Sequence, residues 1–202
     1  MRWRRRAVDA LALLGGGMLL VLVVIALQPR LQSVLEYRLL QLVDVSRTVD
    51  TADDFSPEQS RVTRWLGRRY RVARQPMRAL VAEAYALGEQ WQIDPLAVLA
   101  TAAVQSRFNP LADNGSGAVG VMLTPPLGGD VQWLPYGGNN ARFDAVANLR
   151  VGALLLRDEW AIDPNLESGL MRYTARMRDD PQATTERIMA LHQRLIRAAG
   201  RG

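Results

Sequence analysis

Cysteine and lysine are both missing from this chain of 202 residues: all 25 basic side chains are arginine, and His192 is the sole imidazole. Without cysteine there can be no disulfide, thiolate nucleophile, iron-sulfur cluster, thiolate zinc site or lipid-modified cysteine anchor. Without lysine, Schiff-base catalysis and the lysine-dependent phosphate loops are excluded. A single histidine argues against a histidine metal centre and against a Ser-His-Asp triad, so neither metal nor cofactor is expected. Aromatic residues are also sparse. Trp65, Trp91, Trp133 and Trp160 occur singly, as core residues do, with no basic stretch interleaved with stacking rings, so nucleic acid is not an expected partner. What remains is carboxylate, amide and hydroxyl chemistry on a length suited to one modest domain with an appendage.

Charge is distributed unevenly. Arg2, Arg4, Arg5 and Arg6 precede the one long apolar run, and from Arg30 onward 21 arginines face 19 acids. The run from Ala10 to Leu27 holds 18 uncharged residues, close to the roughly 20 needed to cross a bilayer. It is long for a signal-peptide core, and Ala26-Leu27-Gln28-Pro29 lacks a small-x-small cleavage site, so the run reads as a retained transmembrane helix. Arginines on its N-terminal side predict a cytoplasmic tail over residues 1–6, a spanning helix over 7–28, and an exported remainder.

A juxtamembrane helical segment is expected over residues 29–75. Leu31, Leu35, Leu39 and Leu42 repeat at amphipathic spacing, then Ser56-Pro57-Glu58-Gln59 offers a serine cap, a first-turn proline and a capping-box glutamine. The helix so begun carries Arg61, Arg64, Arg68 and Arg71 on roughly one face, with Arg69, Arg74 and Arg78 around it, and is expected to run until Pro76 interrupts it. That stripe suits a solvated face, lipid headgroups or an acidic partner. Beyond it, Asp-Pro pairs at Asp94, Asp163 and Asp180 mark three helix starts and Asp144 a fourth, while Asn109 to Asn140, rich in glycine, proline and asparagine, reads as a long loop. No convincing strand pattern appears, so an all-α domain is expected over residues 76–202.

The helix Pro95 to Val104 is small or apolar nearly all round, which implies burial, yet it ends on Gln105-Ser106-Arg107-Phe108-Asn109-Pro110 beside the glycine-rich loop. A polar group at the end of a buried helix facing such a loop is where a cleft residue is expected.

These residues are familiar. Gln105-Ser106-Arg107-Phe108-Asn109-Pro110-Leu111-Ala112, then Gly117-Ala118-Val119-Gly120-Val121-Met122 and Pro126, resembles the signature of the soluble lytic transglycosylase (SLT) domain, E-S-x-F-x-P-x-A followed by G-A-x-G-L-M-Q and a proline. Phe143-Asp144 with Asn148 and Gly152 looks like a third block of that family, and Tyr173-Thr174-Ala175 like its Y-N-A-G block. The resemblance implies an all-α, lysozyme-like transglycosylase domain with a peptidoglycan glycan groove, Gln105 at the catalytic position, and Ser106, Gly120, Met122 and Tyr173 as substrate-binding residues, Tyr173 lining the cleft beside Gln105. In the family one glutamic acid protonates the glycosidic oxygen and then, as carboxylate, accepts the proton of the 6-hydroxyl while a 1,6-anhydro sugar closes. Here the family glutamate falls on Gln105, the glutamine after G-L-M on Leu123, and Y-N-A-G reads Tyr173-Thr174-Ala175-Arg176.

An amide neither yields nor takes a proton at accessible pH. The expected function is therefore a membrane-anchored SLT-like domain that does not cleave, binding peptidoglycan strands or positioning an envelope protein partner. The rivals are an active transglycosylase using a different acid and a pure assembly scaffold whose groove is closed by Leu123 and Arg176. For the first rival the available acids are Glu83, Glu89, Asp113, Asp158 and Glu159, each expected as a solvated or paired surface charge, and His192 is expected as a half-exposed helix residue.

Overall fold

In the computed structural model, which describes residues 55–126, 131–163, 165–176 and 180–201, helix starts follow capping chemistry. Six α-helices occur among the described residues: α1 (Pro57–Tyr70), α2 (Arg74–Trp91), α3 (Pro95–Ser106), α4 (Ala145–Ile162), α5 (Leu166–Ala175) and α6 (Pro181–Ala199), with 3₁₀ turns at Val131–Tyr136 and Asn139–Phe143. Ser56 Oγ accepts the Gln59 N–H at 3.1 Å while Gln59 Oε1 accepts the Ser56 N–H at 2.9 Å, the reciprocal capping box. Asp94, Asp144 and Asp180 cap α3, α4 and α6 through the N–H groups of Leu96, Ala147 and Ala183. The start expected at Asp163 is displaced. Asp163 is the C-terminal cap of α4, and Asn165 caps α5 by accepting the Ser168 N–H.

Pro76 does not end the first helix. Arg71, in the left-handed conformation at φ 58°, closes α1 after Tyr70, and Pro76 lies in the first turn of α2, where its missing N–H has no carbonyl to bond.

The buried helix α3 is the hub. Leu96 through Ala103 are all buried, and their mostly small side chains let α6, α2 and α4 close around it. Val62 and Leu66 of α1 are fully buried in the same core. Full burial of such side chains is worth about 1.5 to 3 kcal/mol each, so α1 packs as part of the domain although the sequence reading assigned it to the juxtamembrane segment. The transmembrane helix expected over residues 7–28 lies outside the described residues. Among those described, no helix is long and apolar enough to cross a membrane.

Candidate functional site

Gln105 sits in the last turn of α3 with 5% of its surface exposed. The chain leaves that helix through two consecutive left-handed residues, Arg107 at φ 59° and Phe108 at φ 64°. Such backbone costs about 1 kcal/mol or more per non-glycine residue and persists where surrounding contacts enforce it. One such contact is the buried Phe108 ring, which meets Tyr70 edge to face at a centroid separation of 5.3 Å.

Beyond Phe108 the chain folds back on itself. The Gly120 N–H donates to the Ala112 carbonyl at 2.9 Å, and the Thr124 N–H to that of Val119 at 2.9 Å, forming a turn over residues 119–124. Side chains of α3, α4 and α5 converge on this turn. The Ser106 hydroxyl donates to the Val121 carbonyl at 2.7 Å. The Tyr173 hydroxyl donates to the Met122 carbonyl at 3.0 Å. Asn148, wholly buried, accepts the Met122 N–H at 2.8 Å and donates to the carbonyls of Val119 and Arg142, each at 2.9 Å. Close approach requires glycine: a Cβ at Gly120, whose φ is +84°, would lie 2.1 Å from Asn148 Nδ2, and one at Gly152 would lie 2.4 Å from Met122 Cβ.

Residues 80–175, from within α2 to the last residue of α5, match the transglycosylase SLT domain model. Over this segment the chain is similar to SLT domains. No curated protein and no solved structure matches the chain.

Within the matched segment the expected site residues come together around this turn. Gln105 and Ser106 end α3, and Ser106 and Tyr173 bond to adjacent carbonyls of the same turn. Met122 and Tyr173 have no exposed surface and Gly120 is buried, so all three belong to the packing of the turn. Burial pushes the Tyr173 phenol far above its ordinary range, in keeping with a hydroxyl that donates to the Met122 carbonyl. Tyr173 is thus a buried strut where a cleft-lining residue was expected. Thr174 is also wholly buried, its hydroxyl 3.1 Å from that of Thr185 on α6. Asn148 is the residue that sequence reasoning undervalued. Its signal was a lone amide within the apolar stretch Ala147-Asn148-Leu149.

The departures from the family pattern have equally local explanations. Leu123, at φ 47° and 3% exposed, belongs to the hydrophobic core. Arg176 pairs with Glu159, which Arg172 Nε also approaches at 3.3 Å. Glu159, expected as a surface charge, is only 3% exposed because these two cations cover it. Glu83 takes Arg150 Nη2 at 2.9 Å, Asp113 accepts the Gly115 N–H at 2.7 Å, and Asp158 pairs with Arg157 at 2.8 Å.

His192 is buried, not half-exposed: Nε2 lies 2.5 Å from Asp94 Oδ2, while Asp94 Oδ1 caps α3. Burial alone would raise the Asp94 carboxyl. The His192 hydrogen bond, the Leu96 N–H and the charges of His192 and Arg201 outweigh it and hold the group below its ordinary value. His192 therefore belongs to the foundation of α3.

Two clefts, of about 480 and 540 Å³, lie along α1, and Gln105 lines neither. Arg64 and Arg68 border both.

Proposed function

We propose that this SLT-like domain is directed at peptidoglycan and does not cleave it, and that the run from Ala10 to Leu27 tethers it to the inner membrane with the domain in the periplasm. The observation that carries the reading is the amide of Gln105, buried at the end of α3, where the family's chemistry needs one group to give and then take a proton. General acid-base assistance is worth about 10² to 10⁴ in rate, or about 3 to 5 kcal/mol of barrier, and in this reaction one residue supplies it at both steps. The pairing of Glu83, Asp158 and Glu159 with arginines argues against a displaced acid among these three.

The test is incubation of the full-length protein, in neutral detergent, with purified sacculi. The expected result is co-sedimentation that persists at about 0.3 M salt, where exposed charges are largely screened, with no anhydromuropeptides in the supernatant. Release of such products by the unaltered protein would overturn the inactivity, and failure to sediment would overturn the glycan binding. Gln105→Glu sharpens the result. Burial at this position raises a carboxyl and keeps its proton available near neutrality, so slow anhydromuropeptide release by the variant is expected if the glycan reaches α3.

A further inference from the structure

The cleft of about 480 Å³ between α1 and α2 is lined by Ser60, Thr63, Arg64, Arg68, Arg74 and Arg78, and no carboxylate lines it among the described residues. On α1 these residues fall at the three- and four-residue intervals of a single helix face; Arg74 and Arg78 supply a facing pair from α2. Arg78 lies over the Phe55 ring at 4.0 Å. Arg64, Arg68 and Arg74 are exposed and make no hydrogen bond or ion pair with any described residue. The like charges of Arg64, Arg68 and Arg74 around one cavity repel one another, a cost that an anion in the cavity would offset.

A second, independent feature points to a ligand. Thr63 is only 6% exposed and lines this cleft, yet its Oγ1 finds no hydrogen-bond partner among the described residues. A buried hydroxyl without a partner is unfavourable; this oxygen is itself closed to solvent, so a ligand oxygen satisfies it once the cleft wall shifts to admit one. Guanidinium forks with a hydroxyl beside them match the geometry of a phosphate group.

We infer that the α1–α2 cleft binds the phosphate of an anionic phospholipid headgroup, laying α1 against the bilayer. Two observations favour lipid as the source. On the other side of the Arg64–Arg68 ridge the second cleft presents Trp65 with Arg61 and Arg69, the Arg69 guanidinium 5.5 Å from the Trp65 ring centre. Tryptophan among arginines is the composition of membrane-water interfaces. In addition, α1 begins 30 residues after Leu27, the end of the apolar run proposed to cross the membrane. The site lies mainly on α1, outside the SLT match, and does not depend on whether the domain cleaves or binds glycan.

The experiment titrates the full-length protein in neutral maltoside with dihexanoyl phosphatidylglycerol, dihexanoyl phosphatidylcholine or inorganic phosphate and follows the melting temperature. Phosphatidylglycerol is expected to raise it by about 3 °C or more at saturation, phosphatidylcholine much less, and inorganic phosphate only at far higher concentration. Arg64→Gln/Arg68→Gln is expected to weaken the phosphatidylglycerol effect at least about tenfold in concentration. Thr63→Val is expected to weaken it several-fold while the lipid-free variant melts no lower than the parent, because the orphan hydroxyl is gone. A purely structural Thr63 would give the opposite pattern, a lower melting temperature with unchanged lipid response, and would overturn the site. Equal response to inorganic phosphate would remove the lipid assignment. So would unchanged lipid response in the arginine variant, or loss of sacculus sedimentation as its sole effect.

Discussion

The turn over residues 119–124 and the exposed face of α1 treat polar groups in opposite ways. Around the turn, the carbonyls of Val119, Val121 and Met122 and the N–H of Met122 each meet a side chain from α3, α4 or α5, and of these Asn148 and Tyr173 are wholly buried. Along α1, the Arg64 and Arg68 guanidinium groups are exposed and without described partners, and the buried Thr63 hydroxyl also lacks one. Polar chemistry that is satisfied internally specifies shape; polar chemistry left unsatisfied is available to something outside the chain. On that criterion the turn is closed on itself, and the face of α1 is where polar groups are left over for the proposed anion.

The contrast breaks most visibly at Gly120. Gly120→Ala combines a left-handed φ with a collision at Asn148, so a loss of about 3 to 5 kcal/mol is expected in chemical denaturation. A loss below about 1 kcal/mol would mean that the turn yields easily. Acid comes next. Because the Asp94 carboxyl is held below its ordinary value of 3.8, its contribution is fully present above that value and disappears as pH falls through the lower native one. Thermal melts below about pH 4 should therefore show a decline that Asp94→Asn reduces. Tyr173→Phe leaves the Met122 carbonyl buried without its donor and should cost about 1 to 2 kcal/mol. The smallest effect belongs to the other region. Arg64→Gln/Arg68→Gln should change lipid-free stability by no more than about 0.5 kcal/mol, because those side chains touch no partner that folding supplies.

Much of the helical plan is legible in single residues. Ser56, Asp94, Asp144 and Asp180 mark helix starts because each side chain satisfies an N–H group of the first turn, a local interaction. Pro76 misleads because proline is tolerated in a first turn, and the actual stop at Arg71 has no glycine to announce it. Asp163 misleads because it closes the preceding helix.

For the site, the position of Gln105 and its link to the turn through Ser106 follow from the motif blocks. Burial does not. Whether Tyr173, Glu159 and His192 face water depends on Met122, Arg176 and Asp94, partners distant in the chain or on a neighbouring element, and no periodicity within their own segments encodes those distances. The arginine stripe was readable as a pattern. The cleft beside it was not, because it requires α2 to turn back alongside α1.

The dependence of α3 on α6 has a practical corollary. The helix carrying Gln105 packs most heavily on α6 and is pinned there by Asp94 and His192, although α6 begins after the recognisable family segment has ended at residue 175. A gene fragment trimmed to that segment would strip the apolar flank of α3 of its cover and yield an aggregating product; expression vectors and fusion partners should keep everything through Arg201.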